Sequence, residues 1–237
     1  GVRSIDGSSH SVQIYSDISG EWVRGNPNDP IEWSLENITT NNGTLKTHVI
    51  NATSSTVFAT ENQYPKWGFA FLAALDNGNL TYESNPDTTI RNNFKNTGNL
   101  SNSIDTNQPR AINDNWPCFG FSYNLGNVGA TTVENYFLVG FIRKEAVNYY
   151  GTTFYSYWTK YFSDWQDMLK YAVENYDTIK ARMAEIDNDI VSTANATNSY
   201  YSYLVSLAFR QAFGAGELAY STTTSPVSYT HLTLPTN

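Results

Sequence analysis

Apolar and polar positions change their period once along this chain. Up to about Tyr150, β-branched and aromatic residues come in short runs bounded by Asn, Gly, Asp and Pro, the pattern of strands. In Ser11–Ile18, Val12 and Ile14 alternate with polar neighbours and Ile18 follows with a shift, as in a sheet with one wet face. Trp67–Leu75 and Leu80–Glu83 flank Asp76-Asn77-Gly78-Asn79. Asn-Gly supplies the two positive φ values of a type I′ turn, so a hairpin is predicted there. Further strands are predicted at Leu45–Ile50, Thr56–Thr60, Phe119–Leu125 and Asn135–Arg143. Asn85–Pro109, rich in Asn, Thr, Ser and Asp, reads as an exposed connection. Short strands at this spacing predict an antiparallel β-sandwich rather than a parallel α/β sheet.

Beyond Tyr150 the period is helical. Trp165, Met168, Leu169, Ala172, Val173, Tyr176, Ile179, Met183, Ile186 and Ile190 recur three and four residues apart and share one face of a single long helix. Ser163 followed by Gln166 matches a capping box at its start. A second helix is predicted over Ser199–Phe213, closing near Gly214 and Gly216. Its polar stripe, through Ser202, Ser206 and Arg210, is so narrow that the helix is expected to be buried nearly all round. Two helices cannot bury that much apolar surface, so the chain reads as a fragment whose all-α part continues elsewhere. The fold class is therefore β then α: a sandwich domain over 1–150, truncated at its N-terminus, and the start of a helical domain over 151–220. Residues 221–237, from Ser221-Thr-Thr-Thr to Leu-Pro-Thr-Asn237, resemble a translated library adaptor and are set aside as a non-native tail.

Charge narrows the partners. The 237 residues carry a formal charge of −8 and a pI near 4.8, without the clustered Lys and Arg that phosphate backbones require, so nucleic acid is not an expected partner. No apolar run approaches the roughly 18–20 residues that cross a bilayer, and a membrane is not expected either. Cys118 stands alone, which excludes an internal disulfide and any Cys-x-x-Cys zinc or redox site. Abundant Asn, Ser, Thr and Tyr with little Lys is a composition of extracellular proteins. Sequons for N-glycosylation occur at Asn37, Asn42, Asn51, Asn79, Asn99 and Asn195, a count close to what chance gives in so Asn-rich a chain.

Four stretches carry a family resemblance: Val12-Gln-Ile-Tyr-Ser-Asp-Ile-Ser-Gly-Glu-Trp22, Trp67-Gly68, Phe119-Gly-Phe-Ser-Tyr-Asn-Leu-Gly126 and Tyr203-Leu-Val-Ser-Leu-Ala-Phe-Arg-Gln-Ala-Phe-Gly-Ala215. Over roughly Gly1–Tyr220 the chain resembles the fungal glutaminase A family. The resemblance implies a β-sandwich followed by a helical (α/α)6 toroid like that of six-hairpin glycosidases. It also implies a secreted enzyme that converts glutamine to glutamate and ammonia. The helices here would only begin that toroid, so the chain alone is expected to be inactive and to contact the missing helical domain within its parent.

Amide hydrolysis needs a nucleophile or activated water, a proton donor for ammonia, and donors to the oxyanion. No Ser-x-x-Lys occurs, and Gly120-Phe-Ser122-Tyr-Asn124 fails as a Gly-x-Ser-x-Gly elbow. His10 and His48 lie in no recognisable catalytic setting, and Cys118 reads as a buried structural thiol. The catalytic residues are therefore unknown, with four weak candidates. Asp17 and Glu21 lie near a turn beside Trp22, where an aromatic can raise a carboxyl pKa towards general-acid use. The competing reading has Asp17 satisfying turn backbone and Glu21 pairing with Arg24 or the helical domain. Arg210 and Gln211 interrupt an apolar helix; Arg210 could hold a substrate carboxylate or pair with Asp17 or Glu21. Asp187 and Asp189 could face a cleft or form a solvated helix end. Tyr155, Tyr157, Trp158, Tyr161, Phe162 and Trp165 could form a sugar-stacking platform or an interface core.

No cofactor or metal motif is present. Two alternatives to the amidohydrolase stay open: a glycoside hydrolase on the same toroid, with glutamine replaced by a sugar as the small-molecule substrate, or a non-catalytic carbohydrate-binding sandwich. Exposure of Trp22, Trp33 and Trp67 would mark the second.

Overall fold

The computed structural model of the protein describes residues 1–221 and 227–230. The chain forms two compact units, Gly1–Arg143 and a second that begins at Lys144. In chain order the first holds β1 (His10–Ser19), β2 (Pro30–Thr40), β3 (Gly43–Ala52), β4 (Thr60–Glu61), β5 (Tyr64–Pro65), β6 (Phe69–Asp76) and β7 (Leu80–Pro86). Then come α1 (Asp87–Thr97), β8 (Ser103–Ile104), β9 (Arg110–Ala111), β10 (Pro117–Val128) and β11 (Leu138–Ile142). The second unit holds β12 (Glu145–Tyr149), β13 (Thr152–Ser156), α2 (Trp165–Glu174), α3 (Tyr176–Asn195), α4 (Ser199–Gly214), β14 (Gly216–Tyr220) and β15 (Val227–Thr230). Antiparallel sheets thus lead and helices follow, the β-then-α order that the periodicity predicts. Among the described residues no helix is long and apolar enough to cross a membrane.

Two sheets face each other in the first unit, a four-stranded one in the order β1-β10-β7-β8 and a five-stranded one in the order β11-β6-β3-β2-β9. All neighbours are antiparallel except β7 and β8. Alternation along each strand sends every second side chain inward. Phe119, Phe121 and Tyr123 of β10 meet Ile31 and Trp33 of β2, Ile50 of β3, and Ala70, Leu72 and Ala74 of β6. Trp33 and Phe119 touch edge to face, with ring centroids 5.3 Å apart. Each fully buried Phe or Ile here contributes about 2 kcal/mol through the water it sheds.

The predicted hairpin at Asp76–Asn79 is corrected by this topology. β6 and β7 belong to different sheets, so the link crosses the sandwich instead of turning within one layer. Gly78 takes a positive φ of 86° but Asn77 does not, so no type I′ turn forms. Asp76 Oδ1 accepts from Gly78 N and Asn77 Oδ1 from Asn79 N, local bonds that bend the chain out of the ladder. A hairpin instead joins β2 and β3 across Asn41-Asn42, with Gly43 at φ 128°.

Two further expectations change. Asn85–Pro109 is not a plain connection, since it contains α1, which closes on Gly98 in the left-handed region. Ile90 and Phe94, one turn apart, pack with Leu100, Cys118 and Tyr15 on the outer side of the four-stranded sheet. Thr56–Thr60 is not a strand; Phe58 sits at φ 64°, and only Thr60–Glu61 pairs, with Tyr64–Pro65. β2 carries no strand expectation at all, although Ile31, Trp33 and Leu35 alternate with Glu32, Ser34 and Glu36.

In the second unit the sheet order is β12-β13-β14-β15. The single helix expected over Trp165–Ile190 breaks at Asn175, whose φ of −113° and ψ of 17° leave the helical region and whose Nδ2 donates back to Tyr171 O at 2.9 Å. The cap also moves by one residue: Asp164 Oδ1, not Ser163, accepts from Asp167 N at 2.8 Å, while Ser163 Oγ donates to the Asp167 carboxylate. α4 matches its predicted span but is not buried all round. Tyr203, Leu204, Leu207 and Phe213 are more than half exposed, and Ser202 is the buried residue of that helix. Of the segment set aside as a tail, Val227–Thr230 pairs with Gly216–Ala219, and residues 222–226 and 231–237 lie outside the described residues.

Candidate functional site

The alternation of β1 puts Tyr15 and Asp17 on the side of the sheet that α1 covers. Tyr15 stacks on Phe94, with centroids 4.7 Å apart and planes 16° from parallel. Its hydroxyl donates to Asp17 Oδ2 at 2.7 Å. Arg91 of α1 donates to the same carboxylate through Nε at 2.9 Å and Nη2 at 3.2 Å, and through Nη1 to Asp87 Oδ2 at 3.1 Å. Burial pulls the Asp17 carboxyl upward, but the bonds from Arg91 and Tyr15 and the Arg91 charge outweigh it and hold the pKa below the usual carboxylate value. Asp17 is thus a paired anion that fastens α1 to the sheet, and a general acid needs the opposite condition.

Glu21, in the short turn Gly20–Trp22, is exposed and accepts from Ser19 Oγ at 3.0 Å. Among the described residues it shares no hydrogen-bond partner with Asp17. Arg24 turns inward to backbone carbonyls, not towards Glu21. Arg210 and Gln211 are exposed on α4, and their side chains make no hydrogen bond or ion pair among the described residues. Asp187 and Asp189 are exposed on α3. Ser122 Oγ donates to Gly98 O at 3.0 Å and is committed to holding the end of α1.

Cys118 is fully buried below the Asp17 pair, and burial, with the nearby Asp17 charge, pushes its thiol up to about 12. The thiolate is the reactive form. The folded protein should therefore resist iodoacetamide at pH 8 and take up one equivalent only after denaturation. Alkylation at equal rates in both states would refute this burial.

Two polar groupings have no counterpart in the sequence reading. Glu83 is fully buried on β7 and accepts from Asn85 Nδ2 at 2.7 Å, Asn93 Nδ2 at 2.9 Å and Ser101 N at 3.1 Å. It gathers α1 and the segment after it onto the sheet. Near the start of the chain, Asp6 accepts from Ser4 Oγ at 2.7 Å and from Ser8 N at 2.9 Å, and lies 3.0 Å from His10 Nε2. These bonds, that from Ser4 foremost, lower the Asp6 carboxyl to about 2. The pair borders an open groove of about 320 Å³ lined also by Val2, Val12 and Val128. Ser4 donates to the aspartate and not to the imidazole, so no serine proton is passed to a base. The grouping has the members of a triad without its order. No sequence signal marks it, because the loop geometry, not the Asp-x-x-x-His spacing, makes the contact. Among the described residues no three His, Cys, Asp or Glu side chains converge as a metal site.

The first unit's polar groups thus explain how the sandwich is held, and kinship supplies what they do not. Residues 1–193 match the model of a domain of unknown function, DUF5127. Glutaminase A of Aspergillus oryzae is 34% identical over 223 residues, which cover 92% of this chain and 32% of that protein. A probable glutaminase of Arthroderma benhamiae is 26% identical over 220 residues, 86% of this chain and 25% of that protein. The chain therefore spans about a third of the length of the first relative and a quarter of the second. With a family model running from the first strands of the sandwich almost to the end of α3, and a fungal glutaminase A homologous to nine-tenths of this chain, the chain belongs to the DUF5127 family.

Proposed function

We propose that this chain forms part of a secreted, glutaminase-like amidohydrolase that converts L-glutamine and water to L-glutamate and ammonia. The observation that carries the reading is the 34% identity to a protein named glutaminase A along 92% of the chain. The geometry agrees in a negative way. Asp17 is neutralised by Arg91, Ser122 is bound to Gly98 O, and Cys118 and His48 are sealed in the core. These commitments of Asp17, Ser122, Cys118 and His48 support the reading that the chain by itself is inactive. α2 to α4 are read as the opening helices of an (α/α)6 toroid, and the apolar face of α4 as surface that further helices of the parent cover.

A sugar-binding sandwich has less support. Trp33 and Trp67 are buried at 5% and 6% exposure, leaving Trp22 as the exposed member of the three. The rings of Tyr157 and Tyr161 stand 67° apart, not coplanar. The decisive assay measures ammonia and glutamate from L-glutamine with the full-length parent, beside this chain alone and with a panel of glycosides. Release by the parent only is the expected result. Turnover by the chain alone would refute its inactivity, and glycoside turnover without glutamine turnover would replace amide by glycosidic hydrolysis.

A further inference from the structure

Four of the six sequons meet at one end of the sandwich. Asn42 occupies the turn between β2 and β3, and Asn37 stands three ladder steps away, opposite Lys46. The neighbouring strand ends there too: Thr44 pairs with Asp76, and a Cβ on Gly43 would lie 3.2 Å from Asp76 O. Asn79 follows in the link after β6 and accepts through its carbonyl from Asn124 N at 3.0 Å. Asn99 is held beside it, because Leu100 N donates to Thr81 Oγ1 at 2.9 Å. All four asparagines are exposed. Asn51 differs, being half-buried on β3 with Glu32 of β2 on one side and Phe69 of β6 on the other. Asn195, exposed at the end of α3, lies in the other unit and outside this group.

The number of sequons says nothing beyond chance, but their placement does. Chance would not keep the half-buried Asn51 apart from four exposed asparagines drawn together by adjoining turns. We infer that Asn37, Asn42, Asn79 and Asn99 carry N-linked glycans that cap this end of the sandwich, and that Asn51 carries none. The inference rests on the secretion proposed above. In each transfer, Nδ2 of the asparagine displaces the pyrophosphate of a lipid-linked oligosaccharide at C1 of its first sugar. Nδ2 loses one proton, the N-glycosidic bond forms, and the lipid pyrophosphate leaves. Asn51 lies within a run of three paired strands, between Glu32 and Phe69, with its side chain partly covered, so the transferring enzyme reaches it less readily than the exposed asparagines near the turns. The capped end cannot be covered by another domain or by a second copy of the chain.

The test expresses the full chain behind a heterologous secretion signal in a fungal host. Glycans are then removed by peptide-N-glycosidase in heavy-oxygen water, which leaves a labelled aspartate at every site that was occupied. Peptide mass mapping should find the label at residues 37, 42, 79 and 99 and not at 51. Label at 51 in the secreted, folded protein, or its absence from any of the four, overturns the inference. Because the signal is supplied, this result is independent of whether the parent is secreted. That question is answered separately by looking for the parent in the medium of its own cells.

Discussion

Replacing Arg24 by methionine is expected to destabilise the first unit by about 3–5 kcal/mol, the range for removing one side of a buried charged network. The guanidinium is 3% exposed. Nη1 donates to Val23 O at 3.0 Å and Pro65 O at 3.4 Å, while Nη2 donates to Lys66 O at 3.0 Å and to Ser54 O. Asp29 Oδ2 faces Nε at 3.8 Å. Methionine keeps much of the volume and removes every donor from four carbonyls, of which Lys66 O retains Thr56 N at 2.9 Å, and takes the opposing charge from the Asp29 carboxylate. The segment between β3 and β6 depends on those bonds. Its strand pairing is limited to the two residues each of β4 and β5, and Phe58, Asn62 and Gln63 all hold positive φ, a conformation kept only where the surroundings impose it. Urea unfolding of the wild-type and variant chains measures the loss, and amide exchange should localise it to residues 53–66. A loss below about 1 kcal/mol would mean that the loop is held by its own packing and that the network is incidental.

That network shows why some of the fold could be read from the sequence and some could not. β1, β3, β10 and β11 announce themselves through runs of β-branched and aromatic residues, and α4 through its three-and-four spacing. Arg24 gave no such sign, because its partners are carbonyls some 30–42 residues away, and a carbonyl has no sequence identity. The false hairpin at Asp76–Asn79 has a related cause. Asn-Gly permits a type I′ turn but does not require it, and the flanking strands found longer ladders, β6 with β3 and β11, β7 with β10. α1 was hidden by composition, since only Ile90 and Phe94 among its eleven residues are apolar. Asn175 breaks the long helix without disturbing the apolar period on either side, so periodicity cannot see it.

The site was less legible than the fold for a different reason. Asp17 was singled out because an acid near a tryptophan can be a general acid, yet its state is decided by Arg91, 74 residues away on a helix that the sequence did not reveal. Glu83, the fully buried acid of the first unit, drew no notice because its strand neighbours look ordinary. Both are carboxylates turned into fasteners for α1. A sequence shows which groups could ionise, whereas the partners that fix their state come from the tertiary fold.

His48 makes the same point with the opposite charge and leads to the second large effect. Its side chain points inward beside Ile50 and is fully buried, with ring centroids 4.7 Å from Phe121 and 5.8 Å from Phe119. Nε2 lies 3.3 Å from Gly120 O and donates to it, while Nδ1 has no partner among the described residues. Burial pushes the pKa from 6.5 down to about 4, against the smaller upward pull of the Gly120 carbonyl. Between those values the unfolded chain binds a proton that the folded chain refuses, so stability falls as the pH drops from 6.5 to 4 and levels off below. The span corresponds to about 3 kcal/mol. Asp17 and Asp6 act elsewhere on the scale: their lowered pKa values give stability that is present above the ordinary carboxylate range and lost only under more acid conditions. His48→Gln, whose amide can still donate to Gly120 O but does not titrate, should therefore flatten the stability profile above pH 4 and leave the acid limb in place. Urea midpoints taken across that range decide the matter. An unchanged slope in the variant would show that the proton uptake belongs to another group and that the imidazole is not the acid-sensitive element of the core.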